Sequence, residues 1–179
     1  MKKKSIYSVD TAHVSKDGLR IAPENYRVDK DITFGNGTVF KKGKEFFTLS
    51  ELFMLRSAGE FPEGWDIPTK QELRDITDEF GVVDGCRHVH HLMISLGISL
   101  RGTPLGGESF IRYNKNPRAG GCFITGVNDI GYYLGTDETH ANSAAMLFIN
   151  DRYDGFYVAE CSPNAIGSVR LVYRGLKAT

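Results

Sequence analysis

Phe61-Pro62-Glu63-Gly64-Trp65-Asp66-Ile67-Pro68-Thr69-Lys70-Gln71-Glu72-Leu73 is the stretch on which the fold turns. Two prolines and a glycine in its first eight residues keep a helix from running through them. They read as a rigid linker around the chain's single tryptophan, and Trp65 is expected to plug the core between helices and sheet. Thr69-Lys70-Gln71-Glu72 is a capping box, in which the Thr hydroxyl caps and the Glu reaches back to the Thr amide. Leu73, Ile76 and Phe80 then share one helical face, and Gly81 ends the run. Upstream, Thr48-Leu49-Ser50-Glu51 repeats the device, with Leu49, Leu52, Phe53 and Arg56 at helical spacing and Gly59 as the stop.

Away from these two helices the pattern is β. Leu19-Ile21, Ile32-Phe34 and Thr38-Phe40 read as strands, the last two joined through Gly35-Asn36-Gly37 as a hairpin. A third helix is expected from Arg87 to Leu96. Candidate strands follow at 98–100, 110–113, 122–125, 131–134, 145–149, 155–159 and 168–173. Val169, Leu171 and Tyr173 alternate with Arg170 and Val172, the pattern of a half-buried terminal strand. Without βαβ alternation the class is α+β, with a small twisted antiparallel sheet.

The composition agrees. The chain has 179 residues, 41% of them hydrophobic and 25% charged, enough for one domain with its own core. Its 20 glycines suit short strands and tight turns rather than a helical bundle. Lys+Arg 22 balances Asp+Glu 22, which gives no support for nucleic-acid binding. No stretch approaches the ~20 apolar residues of a membrane span. Met1-Lys2-Lys3-Lys4 is followed by no apolar run, so the expectation is a soluble chain without a conventional export signal. Three cysteines, Cys86, Cys122 and Cys161, make a disulfide framework improbable.

Chemistry-bearing clusters are few. On a helix, Cys86 and His90 would share one face and His88 and His91 another, so each face offers two of the four ligands a structural zinc needs. The plainer reading is a helix with partly exposed histidines. Asn128-Asp129, Asp137-Glu138, Asn150, Asp151 and Asp154 supply hard oxygens that suit calcium, but no EF-hand spacing occurs and Asx residues at strand ends are more often turn formers. No metal ligand set is assigned and no cofactor is expected, with calcium as the open alternative. No G-x-S-x-G, HExxH, P-loop or GxGxxG is present.

The order of motifs is specific. The 61–73 stretch resembles the "P-x-G-W-x-(I/L)-P-T-x-x-E" signature of the Fibrobacter succinogenes major paralogous domain. Gly131-Tyr132-Tyr133-Leu134-Gly135-Thr136-Asp137-Glu138 resembles its "G-Y-Y-W-S-S-T-E" segment, with Leu134-Gly135-Thr136 in place of the "W-S-S-T" step. Ala144 to Phe148 resembles the following "A-x-x-L-x-F" strand, and Gly167 to Val172 resembles the closing "G-x-S-V-R-C-V". The resemblance spans about Thr48 to Arg174. It implies a C-type-lectin-like fold akin to the formylglycine-generating enzymes, with Arg170 as a structural residue satisfying buried carbonyls or a carboxylate. The reactive cysteine pair of the enzymatic cousins finds no match in Cys122 and Cys161, so catalysis is not carried over.

Members of that family are typically exported, and this chain shows no such signal. The expected organisation is an N-terminal arm over residues 1–43, used for assembly or anchoring, and a lectin-like domain over 44–179. The function this suggests is non-enzymatic: a surface component of a phage virion, a capsid decoration or head-fibre protein, its arm pairing with other virion proteins or with a second copy. A bacterial cell-surface adhesion or glycan-binding module is the alternative, and a cysteine-dependent enzyme the third reading. Host-surface glycan or protein would meet loops 102–128 and 137–142, through Tyr113, Asn114, Asn116, Arg118, His140 and Asn142.

Overall fold

The computed structural model describes residues 12–96, 130–139, 143–150 and 155–175. They form a mixed α+β fold of three helices and small antiparallel sheets. The chain opens with β1 (His13–Val14), β2 (Arg20–Ile21) and the hairpin β3 (Ile32–Thr33) and β4 (Val39–Phe40). Helix α1 (Leu49–Ser57) is followed by β5 (Trp65–Asp66), α2 (Lys70–Phe80), the hairpin β6 (Val82–Val83) and β7 (Cys86–Arg87), and α3 (Val89–Ser95). Strands β8 (Ile130–Thr136), β9 (Ala144–Asn150), β10 (Gly155–Cys161) and β11 (Val172–Tyr173) complete it. One sheet has the order β1-β2-β11-β5 and another the order β10-β9-β8.

Both expected capping boxes form. Thr48 Oγ1 accepts from Glu51 N at 3.2 Å while Thr48 N donates to Glu51 Oε1 at 2.9 Å. Thr69 and Glu72 repeat this at 3.1 and 2.9 Å. Each box satisfies two backbone donors that a helix start leaves orphaned, and each cap contributes about 1 kcal/mol. Helix α1 stops as expected at Gly59, whose φ of +70° lets Glu60 N reach back to Leu55 O at 2.9 Å and Gly59 N to Arg56 O at 3.1 Å.

The three-stranded sheet separates two cores. Its period-two alternation sends Tyr132, Leu134, Ala144 and Met146 to one side, against Leu49, Leu52 and Leu55 of α1, Phe47 and Trp65. Tyr133, Ala145, Leu147 and Ile149 go to the other, against Leu73 and Ile76 of α2 and Val89 and Leu92 of α3. Covered on both faces, β9 therefore reads as an unbroken apolar run rather than a polar-apolar alternation.

Three expectations are corrected. The 61–68 stretch is not only a linker, because Trp65 and Asp66 pair with Tyr173 and Val172. Trp65 is buried as expected, its ring centroid 5.4 Å from that of Tyr173. The 168–173 segment is not half-buried: Ser168, Val169, Arg170, Leu171 and Val172 are all buried, because cores press on both of its sides. Residue 43 marks no break in packing either. Ile21 pairs with Val172, Ala22 N donates to Leu171 O, and Tyr26, Val28, Ile32 and Phe40 sit in the same core as α1. From His13 onward the segment expected as an arm belongs to the domain; residues 1–11 lie outside the described residues.

Candidate functional site

The motifs that lie far apart in sequence meet in space. Thr69 bridges Thr136 and Thr136 N donates to Pro68 O at 2.9 Å, which joins the first motif to the second. Tyr133 bridges Ser168, with Leu134 N donating to Ser168 O and Ser168 N to Tyr132 O, which joins the second to the fourth. The third motif is β9, in register with β8 from Thr136↔Ala144 to Ile130↔Asn150. Gly135, where the resemblance departs from its pattern, lies so close to α2 that a Cβ would sit 2.7 Å from Leu73 Cδ1 and 2.8 Å from Pro68 O. The motifs are thus the scaffold of the domain.

Arg170 is the polar centre of that scaffold. Its Nη1 donates to Leu96 O at 2.8 Å and Ala22 O at 3.1 Å, and its Nε to Asn25 Oδ1 at 3.2 Å. The expected structural role is therefore met by carbonyls and an amide. The guanidinium lies 6.0 Å from the centroid of the Tyr133 ring. Tyr133 is buried, and burial raises its phenol pKa above the usual value. No hydrogen bond of good geometry reaches its hydroxyl or that of Ser168, although Asn25 and Arg170 stand close enough to the phenol to work against the rise. A cavity of about 20 Å³ is lined by Tyr133 and Arg170 together with Ile21, Leu73, Ile76, Leu96 and Leu147. That is room for one water.

The second polar cluster surrounds Asp137, expected on an outward-facing loop and as a calcium candidate. The structure buries it. Its Oδ1 accepts from Thr139 N at 3.0 Å and Thr139 Oγ1 at 2.7 Å, its Oδ2 from Ser143 Oγ at 3.1 Å, and Lys70 Nζ stands 3.8 Å away. Hydrogen bonds from the Thr139 hydroxyl and amide, Ser143 and the Lys70 charge outweigh desolvation and hold this carboxyl well below the usual carboxylate range. Lys70 also reaches Glu160 at 3.2 Å. The Asp137 carboxylate is thus engaged by an Asx turn and by the Lys70 ammonium.

The Cys86–His91 cluster does not form the expected faces. Cys86 lies on the β6–β7 hairpin, exposed, and His88 is the extended cap before α3, so Cys86 and His90 share no helix. His91 Nδ1 lies 2.7 Å from Phe80 O, which ties α3 to the end of α2. Among the described residues no group of three or more His, Cys, Asp or Glu side chains is placed to hold a metal ion. Cys161 is half-buried and burial pushes its thiol up to about 11, far from the thiolate range a nucleophile needs.

Tyr113, Asn114, Asn116, Arg118, His140 and Asn142, the residues expected to contact a ligand, lie outside the described residues, as does Cys122. What sequence reasoning missed is a row of aromatics across the sheet. Tyr132, Phe148 and Tyr157 are register partners, Tyr132 edge-on to Phe148 at 5.2 Å and Phe148 stacked on Tyr157 at 4.8 Å. The row runs from a buried ring to one 50% exposed. Its signal was available, since these rings occupy one face of three strands whose existence was expected. No helix among the described residues is long and apolar enough to cross a membrane. Comparison with family models, with curated proteins and with solved structures finds no match to this chain.

Proposed function

We propose that this protein is a non-enzymatic virion surface component, a capsid decoration or head-fibre protein, built on a C-type-lectin-like domain. The observation that supports the reading is the convergence of the four motifs, each of which contacts another through backbone pairing. Their polar groups serve packing, which leaves recognition to the connections between elements.

Assembly would run through the N-terminal end, now confined to residues 1–11 because Ile21, Ala22, Tyr26 and Val28 are core residues. The test is light scattering after size exclusion on the full chain and on a chain starting at Ala12. Oligomers that fall to monomers on truncation support the assembly reading, and monomers in both sink self-assembly. The glycan-binding alternative has its own observation, the half-exposed Tyr157 ring stacked on Phe148, since an aromatic face suits the apolar face of a sugar ring. Sugar binding by the monomer that Tyr157→Ala abolishes would move the reading there.

A further inference from the structure

Among the described residues, the N-terminal strand β1 pairs with β2 through His13↔Ile21 and Val14↔Arg20, across a turn closed by Ser15 N to Leu19 O at 2.8 Å and Leu19 N to Ser15 Oγ at 3.0 Å. His13 and Val172 both pair with Ile21, so their side chains share one face of the sheet. Arg170, two residues before Val172, sends its guanidinium to Ala22 O beside Ile21, and to Leu96 O at the end of α3. The imidazole of β1 thus lies over the junction at which Arg170 ties β2 to α3.

We infer that His13 is a proton-sensitive latch: neutral, it lets β1 close over the Arg170 junction, and protonated, it sets a second cation against the guanidinium and releases the strand. The charge that acts on it is Arg170. Lys16 and Asp17 lie on its own turn and Arg20 alternates to the opposite face of β2. From α2, Glu79 is engaged by Lys16 N at 2.7 Å. From β8, the buried Tyr133 phenol stays neutral through this range. From α3 comes the Leu96 carbonyl, an acceptor that works in favour of the proton. Partial burial, first, and Arg170, second, outweigh it, so the ring titrates below its ordinary 6.5. A folded value below the unfolded one means that stability is full above about pH 6.5 and is lost as pH falls through the folded value.

The latch is independent of what the protein binds. Hydrogen exchange on the full chain tests it, following the amides of Ser15 and Leu19, corrected for intrinsic exchange, from pH 7 to pH 5. The wild type is expected to lose protection by up to about tenfold for each pKa unit of depression, whereas His13→Gln stays flat. Parallel profiles would overturn the latch. So would an NMR titration of wild-type His13 that gives a value at or above 6.5, a readout that stands even where the variant folds poorly.

Discussion

Arg170 and Arg174 lie one helical repeat apart in number and are the same chemical group, yet they solve opposite problems. Arg170 is buried, and its partners are neutral: two backbone carbonyls and an amide oxygen. Arg174 is about one-third exposed and its partners are charged: Glu72 takes Nη1 and Nη2 at 2.9 and 2.7 Å, Asp66 lies 3.5 Å from Nε, and only Ile67 O, at 2.9 Å, is neutral. The buried guanidinium joins two segments distant in sequence, the 22–25 turn and the end of α3. The exposed one reinforces a joint already made by the β5–β11 pairing and the α2 capping box. The lesson is that a cation's contribution follows from what its removal leaves unsatisfied, not from how many opposite charges it touches.

Breaking Arg170 should therefore have the largest effect. Arg170→Met keeps the bulk but strips donors from the Ala22 and Leu96 carbonyls, each an acceptor with a desolvation cost of its own. A loss of about 3 kcal/mol is expected in urea denaturation, because a buried acceptor left unsatisfied costs about 1–3 kcal/mol. A loss below about 1 kcal/mol would mean that water replaces the donor and that the junction is not a keystone.

Arg174→Met, in contrast, should cost only about 0.5–1 kcal/mol, an exposed pair being screened and entropically costly to hold. Its effect should shrink in high salt, which that of Arg170→Met should not. It also carries a pH signature. Burial would raise the Glu72 carboxyl, but hydrogen bonds from Arg174 and the Thr69 amide outweigh it and hold the group below its ordinary 4.5. The folded value lies under the unfolded one, so this contribution is present above about pH 4.5 and is lost as pH falls through the folded value. Stability curves of wild type and Arg174→Met should converge in acid, and curves that stay parallel to pH 3 would remove Glu72 from the clasp.

What was legible in the sequence was local. Thr48/Glu51 and Thr69/Glu72 lie three residues apart and carry their mechanism with them, so both helix starts were readable. The β6–β7 hairpin was readable too, since Asp84-Gly85, both at positive φ, is a two-residue turn signal that a helical reading of the Cys86–His91 cluster overrode. The strand at Trp65–Asp66 was not, because two residues become a strand only by pairing with Val172 and Tyr173, and a proline-flanked stretch announces no partner. Nor could the sequence show that Ile21 and Ala22 belong to the core, since only the return of the chain at Leu171 and Val172 covers them. Of the site, the role of Arg170 was legible through the resemblance, whereas its partners Ala22, Asn25 and Leu96 depend on tertiary closure.

The smallest effect sharpens the comparison most. The Tyr133 ring lies beneath Arg170, buried, with a hydroxyl that no hydrogen bond of good geometry reaches. If the junction is held by guanidinium-to-carbonyl bonds, that hydroxyl contributes nothing and carries an uncompensated desolvation cost. Tyr133→Phe should then leave stability unchanged or raise it by up to about 1 kcal/mol, since removing an unsatisfied buried hydroxyl relieves that penalty while the ring keeps its packing. A loss of about 1 kcal/mol or more would show instead that the hydroxyl is hydrogen-bonded, to Asn25, to Arg170 or to a water. The buried side of the Arg170–Arg174 contrast would then rest on a network that includes the Tyr133 hydroxyl rather than on three direct bonds.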